Sequence, residues 1–148
     1  MVKAVKLSEF GKNYSLKHIR LIRYFCFRCT DALTKNDLCA ANFYQSRAQR
    51  VVKGINPFCK YLTEQDSKLL LETKDRLEKV FNRVAVLFLN GESNLIGNAI
   101  EEIIVETLDL EKEILHISLA QLSQKVLLEN NQINYCHIGK LSERGRNE

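Results

Sequence analysis

The chain has no tryptophan, a single proline (Pro57) and six glycines in 148 residues, so it is poor in the residues that break helices and build tight hairpin turns. Neither a GxxxxGKS/T nor a GxGxxG pattern occurs, which excludes the common glycine-rich phosphate cradles. No apolar run approaches the roughly 20 residues of a membrane span. The opening MVKAVKLSEF sets no apolar run behind its lysines, as a secretion signal would. These absences lead to the expectation of a cytoplasmic protein that does not contact membrane. The five cysteines are an odd set, Cys26, Cys29, Cys39, Cys59 and Cys136, and are expected to be reduced and mostly buried rather than paired in disulfides.

What is present is helical. A composition of 45% hydrophobic and 27% charged residues is that of a folding globular chain. Its apolar residues recur at intervals of three and four rather than alternating. The pattern predicts an all-α fold, one domain over residues 1–148, built as a bundle of four to five helices. Residues 1–14 read as an N-terminal arm and 139–148 as a frayed tail. Ser15 is expected to cap a first helix ending near Leu33, with Ile19, Ile22, Cys26, Cys29 and Leu33 as its apolar stripe. Asp37 opens a second helix facing inward through Leu38, Ala41, Tyr44, Ala48, Val51 and Val52, stopped by Gly54 and Pro57. Thr63 with Asp66 starts a third, ended by Asn90-Gly91. From Ser93 to about Glu129 the period stays helical, and a break is expected near Thr107–Leu110 because one helix of that length exceeds the usual globular range.

Catalytic chemistry finds little support. Cys26-Phe-Arg-Cys29 has CxxC spacing, but no second CxxC or HxxxH completes a zinc site, and both thiols fall on the apolar stripe, where free cysteine packs well. The histidines His18, His116 and His137 lie near no evident nucleophile. Glu101, Glu102, Glu106, Asp109, Glu111 and Glu113 contain one ExxH spacing, Glu113 with His116, which is half of a di-metal carboxylate site; a solvated acidic face explains them better. The expectation is a protein that is not an enzyme and needs no metal or other cofactor.

Charge is the strongest signal. Residues 1–60 carry twelve Lys/Arg against Glu9, Asp31 and Asp37, a net of +9, whereas residues 61–148 net −5. Lys17, Arg20, Arg23 and Arg28 on the first helix, with Arg47, Arg50 and Lys53 on the second, are expected to merge into one positive band if the two helices pair antiparallel. Tyr24 and Phe27 would offer stacking surfaces to bases. Such a band suits the backbone of RNA or single-stranded DNA, read without sequence preference and lost steeply with salt, by a log–log slope of up to about −5 if all seven cations engage. The other class consistent with charged ends is a protein-interaction adaptor or chaperone-like helical module.

In size, helical plan and the basic segments SLKHIRLIRYFCFR and SRAQRVVKG set against an acidic second half, the chain resembles the small helical subunits of multi-subunit (class 1) CRISPR effector complexes. The resemblance implies a non-catalytic ribonucleoprotein subunit that stacks with copies of itself along a guide-RNA filament and steadies the target or displaced DNA strand. The acidic stretch 92–129 would then meet a neighbour, for instance the basic side of the next copy, head to tail.

Overall fold

The computed structural model describes residues 2–116, 118, 120–122 and 124, with side chains from residue 9 onward. The fold is all-α, with α1 over Val2–Thr34, α2 over Leu38–Gly54, α3 over Glu64–Asn90 and α4 over Ser93–Leu115. α1 packs against α2 and α4, and α3 closes the ring between α4 and α2, so that α1 and α3 stand on one diagonal. Two contacts fix the register of α1 and α2 as antiparallel. Arg28 Nη2 donates to the Tyr44 hydroxyl at 3.5 Å, and Tyr14 at the other end accepts from the Asn56 backbone N–H at 2.8 Å. Among the described residues no helix is long and apolar enough to cross a membrane.

Local chemistry sets most helix ends. Asp37 Oδ1 accepts from Ala40 N at 3.0 Å, and Thr63 Oγ1 from Asp66 N at 3.1 Å, each satisfying an amide that the first turn leaves open. Gly91 closes α3 in the left-handed region at φ 70°, where a side chain would be strained. One continuous core then joins Ile19, Ile22, Cys26 and Cys29 of α1 to Ala41, Ala48 and Val52 of α2, Leu70, Leu77 and Phe81 of α3, and Ile96, Ile100 and Ile103 of α4.

Three expectations are corrected. Residues 2–14 are not an arm but the first turns of α1, and Ser15 is buried inside the helix rather than capping it. Gly11 explains the docking: a Cβ there would press into the backbone carbonyl of Tyr61, so the absent side chain lets the 55–63 connection lie directly on α1. An ordinary Gly→Ala change in a helix gains about 1 kcal/mol. Gly11→Ala is instead expected to lose about 1–3 kcal/mol by overpacking against backbone, in a urea titration followed by helicity. A gain in stability would show that this end of α1 does not dock.

The second correction is α4, which runs unbroken through Thr107–Leu110 because Thr107 and Leu110 are both buried on its inner face and no cap interrupts them. The break falls instead at His116, which takes φ 54°, after which Ser118 and Gln121 exchange capping hydrogen bonds. The third is Leu38, expected inward but exposed at the start of α2. The predicted tail 139–148 and Cys136 and His137 lie outside the described residues.

Candidate nucleic-acid interface

On α1, Lys17 and Arg28 are eleven residues apart, which at 100° per residue places them roughly 20° from each other on one line of the helix. Lys17 is exposed and Arg28 half-buried. The α1–α2 register sets Arg47 and Arg50 beside that line, between the levels of Lys17 and Arg28, and both are exposed. Apolar and aromatic groups stand among these cations. The Arg28 guanidinium lies 5.4 Å from the Tyr44 ring centre and that of Arg47 5.0 Å from the Phe43 ring. Leu21 and Phe43 are exposed within the strip, and Phe10, 5.8 Å from Tyr61, is exposed at its end. The hydrogen bond to Tyr44 raises the Arg28 pKa, so this residue stays cationic, and its buried Nε has no acceptor among the described residues.

The strip is smaller than the sequence suggested. Arg23 is 3% exposed and turned into the α1–α4 interface, where its Nη2 donates to Glu111 Oε1 at 2.8 Å. Arg20 follows it, with Nε 3.4 Å from the same oxygen. Both therefore leave the proposed surface set, Arg23 entirely and Arg20 in large part, because a buried carboxylate holds them. Lys53 is exposed but sits roughly 120° round α2 from Arg47, outside the strip. Phe27 is half-buried on the α4 side of α1, while Tyr24 remains next to Arg28. What remains together is Lys17, Arg28, Arg47 and Arg50.

Glu111 is the residue that the sequence misled about most. Its spacing among the other acids points to a solvated acidic face, yet it is 0% exposed. A signal was present: Glu111 lies four residues after Thr107 and three before Ile114, on the buried stripe of α4, as Arg23 lies four after Ile19 and three before Cys26. Two opposite charges on facing apolar stripes are the pattern of a buried pair. The other acids of α4 do face outward, and two hold α3 cations, Arg76 to Glu106 at 3.0 Å and Arg83 to Glu102 at 2.6 Å. By contrast, none of Lys17, Arg28, Arg47 and Arg50 has a carboxylate within ion-pair distance among the described residues.

Cys26 and Cys29 are both in the core, as their place on the stripe indicated, while Cys39 is exposed at the start of α2. Among the described residues no three His, Cys, Asp or Glu side chains come together as a metal site would require. Burial pushes the Cys29 thiol up to about 12 and raises that of Cys26 as well, its neighbour Cys29 adding to the effect and Arg23 opposing it. Both are thus protonated and shielded at neutral pH. Brief maleimide labelling of native protein at pH 8, read by peptide mass spectrometry, is expected to mark Cys39 and spare Cys26 and Cys29 until denaturant is added. Prompt labelling of Cys26 would contradict the packing.

Among the described residues, fold and surface together define an all-α bundle of four long helices with a cationic, aromatic-lined strip on one helix pair and mostly paired or outward acids on the other. No protein-family model, curated protein or solved structure matches the chain.

Proposed function

We propose that the chain binds the backbone of single-stranded nucleic acid without sequence preference, as a non-catalytic structural subunit of a ribonucleoprotein. The observation that carries this is the strip itself: Lys17, Arg28, Arg47 and Arg50 share one exterior face without carboxylate partners among the described residues, next to exposed Leu21, Phe43 and Phe10. Cations attract phosphates by releasing counterions, and planar arginines add two-pronged contacts. Rings beside them give bases a stacking surface that accepts any sequence. The likeness in size and charge pattern to class 1 CRISPR small subunits supports the same role, with the strand held along α1 and α2 and the acidic side turned away from it.

The test is a salt titration with a fluorescent oligonucleotide of mixed sequence. With four strip cations in place of seven, log affinity should fall with log salt at a slope of about −3. RNA and DNA strands of one length should bind alike if the backbone alone is read. An affinity that ignores salt would count against the proposal. A protein adaptor would instead keep its partners in a pull-down after nuclease treatment, whereas a ribonucleoprotein subunit held by its strand would lose them.

A further inference from the structure

The cationic strip ends in an aromatic ledge. Phe10 stands 18 residues before Arg28, five whole turns at 100° per residue, so the two share the line that carries Lys17 and lie about 27 Å apart along α1. Phe10 is 58% exposed, and the connection after α2 brings the exposed Tyr61 ring to 5.8 Å from it at an angle of 46°. Rings tilted in this way leave faces that neither covers. Lys60 adds a cation, its Nζ 5.1 Å from the Tyr61 ring centre. The ledge is held in place by its backbone. The Tyr61 carbonyl lies where a Cβ on Gly11 would stand, the Tyr14 hydroxyl accepts from the Asn56 N–H at 2.8 Å, and Lys74 Nζ donates to the Ile55 carbonyl at 2.7 Å. At the opposite end the row of cations stops, because the next charged residue of α1 after Arg28 is Asp31, paired with Lys35 at 3.1 Å.

We propose that Phe10 and Tyr61 form a base-holding subsite, in which one nucleobase of the bound strand stacks on the ledge while its phosphate meets Lys60. The proposal rests on the backbone-binding reading above and adds that a base is held at a fixed place, at one end of the strand's track. Position and charge decide for a nucleotide. It is the ligand that joins a flat apolar ring to an anion at short range, and the ledge joins flat rings to an ammonium at that range. Residues 38–63 carry Arg47, Arg50, Lys53 and Lys60 and no acid, while Glu9 lies about 100° round α1 from Phe10. Every base has a face to stack, so the subsite needs no particular sequence. A ledge already in its binding geometry also spends little on being ordered. From Phe10 to Arg28 there is room for about eight nucleotides of a stacked strand, at about 3.4 Å each.

The test compares a labelled oligothymidine of about eight nucleotides with its abasic counterpart, which keeps every phosphate and lacks the bases, by fluorescence anisotropy. Phe10→Leu keeps an apolar side chain but removes the ring. It should weaken binding of the thymidine strand about tenfold and leave the abasic strand and the salt slope unchanged. Tyr61→Leu should do the same, and Tyr61→Phe, which keeps a ring, should bind like the wild type. Both positions are exposed, so each variant should keep its helicity. A strand carrying 5-iodouracil at one terminus should, on irradiation, cross-link to the peptide that holds Phe10 or Tyr61. Wild-type affinity of Phe10→Leu for the thymidine strand overturns the proposal, as does an equal loss on both strands, which would make the ring a structural support only. A ledge that serves a protein would show itself when Phe10→Leu keeps its strand affinity and loses nuclease-resistant partners in a pull-down, and that too overturns it. In each of these cases salt-dependent binding of the abasic strand leaves the cationic strip standing, whereas failure to bind either strand overturns both readings.

Discussion

Arg23→Met should lower the stability of the fold by about 3–5 kcal/mol although it keeps an unbranched apolar stem, because it removes the closest partner of a carboxylate that has no access to water. Glu111 is 0% exposed, its Oε1 receives Arg23 at 2.8 Å and Arg20 only at 3.4 Å, and its Oε2 has no donor among the described residues. In the variant a charged group stays buried with one long contact. For a domain of this size the midpoint of thermal unfolding should fall by on the order of 10 °C. The double change Arg23→Met with Glu111→Leu should recover most of the loss, since a buried ion pair is often no better than well-packed apolar groups while half of one is much worse. Glu106→Ala, which breaks the exposed pair with Arg76, should cost under about 1 kcal/mol. Denaturant titrations of the four proteins form the measurement. A single Arg23→Met variant as stable as the Glu106→Ala control would mean that the α1–α4 pair does not hold the bundle.

The largest effect on binding is expected from reversing the strip. Lys17→Glu, Arg47→Glu and Arg50→Glu together replace three of its four cations with acids while touching only exposed positions. Affinity for a single strand at low salt should drop on the order of a hundredfold or more, and the salt slope should flatten toward about −1, the contribution of Arg28 alone. Helicity should be unchanged. Lys68→Glu, equally exposed but on α3, is the control for net charge and should shift affinity only slightly. If Lys68→Glu weakened binding as much as a single strip reversal, the attraction would belong to the whole molecule. If the triple reversal bound like the wild type, strand binding would not run through α1 and α2.

The two experiments meet at one helix. Arg23 and Glu111 fix the rotation of α1 against α4, and that rotation decides which line of α1 faces outward. Lys17 and Arg28 lie on that outer line, so loosening the buried pair should also blur the spacing of the strip. Weaker strand binding by Arg23→Met at temperatures well below its unfolding midpoint would be consistent with that coupling.

The sequence by itself determined what is written within a few residues. The 3.6-residue period gave the all-α class and turned Cys26 and Cys29 inward, and the caps at Asp37, Thr63 and Gly91 marked real helix ends because each acts through hydrogen bonds spanning three or four positions. The segregation of charge between the two halves was legible in the same way. Only the tertiary structure decided which cations stay outside. Arg23 and Arg28 are alike in the sequence, both basic and five residues apart on one helix, yet one is drawn in by a carboxylate 88 positions away and the other keeps its charge at the surface. The docking of residues 2–14 likewise depends on Gly11 meeting the backbone at Tyr61, fifty residues on. Local pattern cannot encode such choices, because the energy of burying a charge or closing backbone on backbone is set by whatever the fold brings opposite.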